Sequence, residues 1–246
     1  MRLAVFSDIH GNLEALETVL DHAADRGVHR YMCLGDMIGY GPDPDACIQR
    51  LRSLPRLNGV LGNHDAAAVW KMSPYAMTRN ATQAILWTIE QLLPESIAYV
   101  ERLESTFTMG DMIFCHANPY NPHAWRYVEN RKYAARSFRS TRKQLLFLGH
   151  SHRPLVITKK GFFRMDFQVP EESDILPVSP RKRQIFNCGS VGQPRDRNPQ
   201  ACYLIYDTRR DQIEYYRLPY DYSKTADKIY RAGLPDFLAL RLAKGV

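Results

Sequence analysis

No apolar run in this chain of 246 residues approaches the roughly 20 residues that a membrane-crossing helix requires, so no membrane span is expected. Also missing is any Cys-x-x-Cys pair. The five cysteines are odd in number and widely spaced, which fits neither a disulfide framework nor a thiolate zinc site. Cys33, Cys115, Cys188 and Cys202 lie in apolar runs and read as reduced core residues. The opening segment turns acidic at Asp8, too early for a signal peptide, and a cytoplasmic protein is expected. There is no internal repeat and no low-complexity linker, which points to one domain over residues 1–246 with a helical tail from about 222 to 246.

What is present is a hydrophobic content of 45%, enough to build a core, and a net charge of +7 that suits an anionic partner. That partner is either a phosphorylated small molecule or nucleic acid. Basic residues concentrate in 126–143, but only Tyr127, Tyr133 and Phe138 interleave with them, too few for a single-strand stacking platform. The segment reads as a solvated helix face, and a small phosphorylated substrate is favoured over nucleic acid.

Apolar runs and helical periodicity alternate along the first half. Leu3 to Ser7 reads as a strand, Leu13 to Arg26 as a helix capped by Asn12, Tyr31 to Leu34 as a second strand and Leu57 to Leu61 as a third. Three strand, polar cluster and helix repeats predict a parallel sheet with ligands at its carboxyl edge. Ser73 to Leu103 is helical, with Pro74 and Pro94 suited to first turns. Met112 to Cys115 and Leu145 to Leu148 are buried strands, Leu155 to Phe167 a hairpin turning at Lys159-Lys160-Gly161, and Gln184 to Cys188, Ala201 to Asp207 and Gln212 to Leu218 three more strands.

Each of five strands stops at polar residues: Asp8 and His10, Asp36, Asn63 with His64 and Asp65, His116, then His150 and His152. Residues two apart on an extended segment share a face, so Asp8 and His10 are expected to converge. Carboxylate, imidazole and amide oxygen together suit two divalent ions such as Mn²⁺, Fe²⁺ or Zn²⁺. Tyr40, Asn118, His123 and Arg195 sit in loops near these clusters and are candidate substrate contacts, whereas His22 and His29 fall outside them.

In residue type and order, Asp8-x-His10, Gly35-Asp36, Gly62-Asn63-His64-Asp65, His116 and Gly149-His150-Ser151-His152 resemble the five blocks of the calcineurin-like metallophosphoesterase superfamily. Gly39-Tyr40-Gly41-Pro42 and the stretch from Asn187 to Asp196 resemble its bacterial and archaeal branch of small phosphodiesterases. The resemblance implies an α/β fold of four layers, two mixed β-sheets packed as a sandwich with helices outside. It implies that Asp8, His10, Asp36 and His152 hold one metal and Asp36, Asn63, His116 and His150 the other, with a bridging hydroxide attacking phosphorus. His64 matches the family's catalytic acid, and Asp65 the group that steadies it. In the protein phosphatase branch an arginine follows the second block and a glutamate closes the third; neither is present here. Hydrolysis of phosphodiesters or nucleotides is therefore expected. The rival expectations are a protein-binding scaffold, as a retromer subunit of this fold is, and a nuclease of the same superfamily.

Overall fold

In the computed structural model, which describes residues 1–161 and 164–246, the chain opens with three strand–helix units. These are β1 (Arg2–Phe6) and α1 (Leu13–Asp25), β2 (Arg30–Cys33) and α2 (Pro44–Arg52), then β3 (Leu57–Gly59) and the short α3 (Asn63–Ala68). Helices α4 (Arg79–Gln91) and α5 (Pro94–Glu101) follow, with Pro74 opening a 3₁₀ turn before α4 and Pro94 opening α5, where a missing N–H costs nothing. The chain continues through β4 (Thr106–Met109), β5 (Met112–Cys115), α6 (Arg131–Ser140), β6 (Leu145–Leu148) and β7 (Pro154–Lys159). It ends with β8 (Met165–Gln168), β9 (Ile175–Pro177), β10 (Gln184–Cys188), β11 (Ala201–Asp207), β12 (Gln212–Leu218), α7 (Tyr222–Arg231) and α8 (Asp236–Leu240).

The strands form two mixed sheets, in the orders β3-β2-β1-β11-β12-β9 and β4-β5-β6-β10-β7-β8. Each contains a parallel trio, β3-β2-β1 in one and β5-β6-β10 in the other. Because successive strand residues face opposite ways, each sheet feeds two cores. Leu3, Val5, Met32 and Leu34 meet Phe114, Phe147 and Phe186 between the sheets. Ala4, Phe6 and Cys33 turn outward onto Leu16, Val19 and Leu20 of α1, and Leu146 and Leu148 turn outward onto Ala134 and Phe138 of α6. The result is the expected sandwich of two mixed sheets with helices outside. All five cysteines are free and buried.

Several details differ from the sequence reading. Strands β4 and β9 carry no apolar contrast with their surroundings, since both are half-exposed, and they exist by pairing with β5 and β12. The hairpin of β7 and β8 pairs Lys159 with Met165, so Lys159 still belongs to the strand. Phe162 and Phe163, within the expected hairpin, lie outside the described residues. The basic segment is helical only over α6, which buries Ala134, Ser137 and Phe138 and exposes Arg131, Lys132, Arg136 and Arg139. No described helix is long and apolar enough to cross a membrane.

Asn12 joins three parts of this framework. Its Oδ1 accepts from the Ala15 N–H (3.1 Å) and the Thr225 hydroxyl (3.0 Å), while its Nδ2 donates to the carbonyl of Gly192 (2.9 Å) and to the Tyr220 hydroxyl (3.0 Å). The amide thus caps α1 and binds α7 and the loop after β10 to it. Lys228 reinforces the link by pairing with Glu14 at 2.6 Å and Asp43 at 2.8 Å. Replacing Asn12 with alanine removes the cap and leaves buried partners unpaired, so Asn12→Ala is expected to lower unfolding free energy by about 1–3 kcal/mol in urea titration.

Candidate metal centre

The carboxyl ends of the two parallel trios meet at one edge of the sandwich, where the chain repeatedly leaves the strand conformation. Twelve described non-glycine residues have positive φ, and seven of them are Asp8, His10, Asp36, Tyr40, Trp125, His150 and His152. Asp8 and His10 therefore converge by left-handed turns, at φ of 56° and 52°, and not by alternation on an extended segment as expected. L-residues avoid this region because the Cβ crowds the backbone, and seven at one edge mark a place where side-chain direction outweighs backbone comfort.

Those turns bring seven polar side chains together. Asp8 Oδ2 accepts from the His150 N–H (2.9 Å) and Asp36 Oδ1 from the His64 N–H (2.8 Å). The other oxygen of each carboxylate, Asp8 Oδ1 and Asp36 Oδ2, is buried with no donor. Around them stand His152 Nε2 (3.3 Å from Asp8 Oδ1), His116 Nε2 (3.2 Å from Asp36 Oδ2) and His10 Nε2 (3.8 Å from both). Asn63 Oδ1 lies 3.2 Å from His116 Nε2.

Each imidazole is held by its second nitrogen. Nδ1 of His10, His116 and His152 faces the backbone carbonyls of Ile38 (3.2 Å), Leu34 (2.7 Å) and Gln193 (2.6 Å). His150 is reversed, with Nε2 on the carbonyl of Trp125 (2.8 Å) and Nδ1 turned inward. A nitrogen facing a carbonyl must carry a proton, so a neutral ring points a bare lone pair into the site. His10 and His152 then confront each other at 3.2 Å, and His116 and His150 at 3.1 Å. Lone pairs at this separation repel unless positive charge lies between them.

The titration behaviour makes the same demand. Burial lowers His10 and His152 well below the ordinary imidazole range and brings His150 down to about 3, which keeps them in the neutral form that a metal could accept as a ligand. His116 moves the other way, to about 9, because the adjacent Asp36 charge outweighs its burial. Burial raises Asp8 to about 7, whereas for Asp36 the burial penalty is outweighed by His116 and His64, which hold it well below the carboxylate range. A cluster of acceptors that drives one of its own imidazoles to become a cation fits divalent metal. Three groups of donor atoms have the spacing to hold an ion: Asp8, His10 and His152; Asp36, His116 and His150; and His10, Asp36 and His64.

His64 stands beside this centre. Its Nδ1 is buried without an acceptor, where a Cβ on Gly39 would come within 2.5 Å, and burial lowers the ring to about 4. The expectation that Asp65 steadies this imidazole is not met. Asp65 instead accepts the backbone N–H groups of Asp36 (2.8 Å), Met37 (2.9 Å) and Gly62 (3.1 Å), so its carboxylate shapes the Asp36 loop. Gly62 is extended at φ −93°, and glycine is required there by contact, since a Cβ would run into the Asp36 carboxylate.

A cavity of about 340 Å³ opens over the centre. Tyr40 and Arg195 line it on the His10 and His152 side: the Tyr40 ring packs 4.8 Å from His10 and 4.4 Å from His64, with the Arg195 guanidinium 5.8 Å above it. The other two proposed substrate contacts are elsewhere. The Asn118 side chain is spent on its own turn, accepting from the Asn121 N–H (2.9 Å) and donating to the Arg126 carbonyl (3.2 Å). His123 is exposed and bonds Ser105 at 3.0 Å. Sequence reasoning missed Trp125, Tyr127, Met72 and Met77 in the cavity wall. It also missed the four carbonyls that orient the histidines, since a carbonyl carries no residue-type signal.

Acidic and imidazole side chains gathered at the strand ends of a helix-flanked double sheet form a site suited to metal ions. The family model of the calcineurin-like phosphoesterase superfamily domain matches residues 1–211, and the chain belongs to that superfamily. It is 37% identical over 247 residues to the uncharacterised protein MJ0912 of Methanocaldococcus jannaschii, covering 99% of this chain and 98% of that protein. A metallophosphoesterase from Sphaerobacter thermophilus superposes with a TM-score of 0.90 at 37% identity, over 100% of this chain and 99% of that one. The hypothetical protein PH1004 from Pyrococcus horikoshii OT3 shares the fold at a TM-score of 0.80 and 18% identity, over 100% and 98% of the two chains.

The position of Asp65 separates two roles by measurement. Asp65→Asn leaves at least one backbone N–H facing an amide NH₂, and is expected to cost about 1–3 kcal/mol of stability and to weaken metal binding roughly 10–100-fold, read by urea titration and Mn²⁺ calorimetry. Intact stability and metal affinity with slowed turnover would restore a direct role on His64.

Proposed function

We propose that the chain hydrolyses phosphate esters with two divalent ions, and that its substrates are phosphodiesters or nucleotides. The observation that carries this reading is the pair of donorless buried carboxylate oxygens set among imidazole lone pairs that face each other. Asp8, His10, Asp36 and His152 would hold one ion and Asp36, Asn63, His116 and His150 the other, with Asp36 shared. Manganese, iron or zinc would suit this mixture of oxygen and nitrogen donors. When bound, such ions neutralise phosphoryl oxygens and make water a competent nucleophile at neutral pH.

The remaining work falls to the chain's own side chains. Arg195 faces the cavity with no carboxylate partner among the described ion pairs; its guanidinium donates to Gln193 Oε1 at 2.7 Å. That leaves a cation free to meet a phosphoryl oxygen, with the Tyr40 ring beneath it as a platform. His64 acts at the leaving oxygen. A proton on its buried Nδ1 would have no acceptor, so the neutral ring carries its proton on Nε2 and donates it as a hydrogen bond to the charge that develops there. The cavity is of a size for one small ester. Five buried free thiols suit a reducing compartment, and we place the protein in the cytoplasm.

Turnover of an aryl diester should vanish on exhaustive chelation and return with Mn²⁺. Full activity in protein shown metal-free by elemental analysis would refute the reading. His64→Gln is expected to retain both ions yet lose rate by about 10²–10³-fold, and to lose more with an alkoxide leaving group than with a phenoxide. Equal slowing of both substrates would move His64 from the leaving oxygen to the phosphoryl group.

A further inference from the structure

The cavity is larger than a phosphate needs, and one side of it is apolar. Trp125 and Tyr127 enter it on the His116 and His150 side: the Trp125 ring meets His116 edge-on at 6.0 Å, and the Tyr127 ring lies 4.5 Å from His150 at 34°. Met72, Ala76 and Met77, from the segment joining α3 to α4, and Ala81, in the first turn of α4, add thioethers and methyl groups. Trp125 is held at φ 50°, ψ 37°, and its carbonyl is the group that orients His150. The aromatic ring is thereby tied to the position of a metal-facing imidazole. Asp36 is the one carboxylate in the described lining.

Two aromatic rings and two polarisable sulfurs beside a phosphoester centre match the chemistry of a flat, conjugated ring. Rings stack on aromatic faces and thioethers pack against ring edges, without hydrogen bonds that would select one ring over another. We propose that Trp125, Tyr127, Met72 and Met77 form a slot for a planar aromatic ring carried by the phosphoester, either a nucleobase or a simple aryl group. This rests on the phosphoesterase reading and narrows it: esters with a ring are selected over alkyl or sugar esters, and purines and pyrimidines are accepted alike.

The test is calorimetric titration of the Mn²⁺-loaded protein with AMP, UMP, phenyl phosphate, ribose 5-phosphate and inorganic phosphate, with ³¹P NMR checking that the ligands stay intact. AMP and UMP should bind at least about tenfold more tightly than ribose 5-phosphate, a typical effect of one stacked base. The double variant Tyr127→Leu, Met77→Ala should sharply reduce that difference while leaving inorganic phosphate affinity in place. Tyr127 is 44% exposed, so Tyr127→Ser should fold even where the double variant does not, and should show a partial loss in the same direction. Phenyl phosphate binding as tightly as AMP would identify a bare aryl ring as sufficient; phenyl phosphate binding like ribose 5-phosphate would identify a nucleobase. Ring-bearing ligands no tighter than ribose 5-phosphate, or a preference that survives the substitutions, would overturn the slot. Failure of inorganic phosphate to bind at all would overturn the phosphoesterase reading beneath it.

Discussion

An edge built almost wholly of acceptors is the constraint on which this structure depends. Asp8 Oδ1 and Asp36 Oδ2 have no donor, and four imidazoles turn one nitrogen inward because the other is committed to a backbone carbonyl. Such a cluster is unfavourable by itself, since buried acceptors forgo water and repel one another. Its left-handed residues add strain of order 1–3 kcal/mol each. The double sheet overcomes both costs with three continuous cores around Phe114, Phe147 and Phe186, around Phe6 and Leu16, and around Phe138 and Leu148. Stability and chemistry are therefore segregated: the strands bury hydrocarbon, and their carboxyl ends hold the strained polar groups.

The polar edge of this arrangement was legible because each of the five strands is an apolar run that ends at a polar residue. The reason expected for the convergence of Asp8 and His10 was nonetheless incorrect. Periodicity reports the conformation of a strand, but it says nothing of the turn that follows, where both residues take positive φ. Asp65 shows a second limit. A carboxylate next to a histidine in sequence reads as its partner, yet on the first turn of α3 it points at the backbone N–H groups of Asp36, Met37 and Gly62.

The cavity wall was the least legible part. Trp125 and Tyr127 lie in an irregular segment where neither period applies, and nothing local distinguishes a ring facing a cavity from one facing solvent. Tyr40 and Arg195 were accessible to sequence reasoning because they sit in loops that already carried a resemblance. Edge strands β4 and β9 escaped for a related reason: half-exposed strands have no buried face to produce alternation.

The loops that carry the polar cluster are interlocked at the level of their backbones. A Cβ at Gly41 would strike the His10 carbonyl, one at Gly192 the Ile9 carbonyl, and one at Gly35 the Gly62 backbone nitrogen. Main chain against main chain leaves no side chain that can be trimmed or repacked to shift one of these polar groups by a fraction of an ångström. Room to change what the cavity accepts therefore lies in the lining side chains of two segments, Met72, Ala76, Met77, Thr78 and Ala81 in one and Tyr127 in the other. Altering specificity by directed evolution would profit from libraries confined to these two segments, with the glycines left untouched.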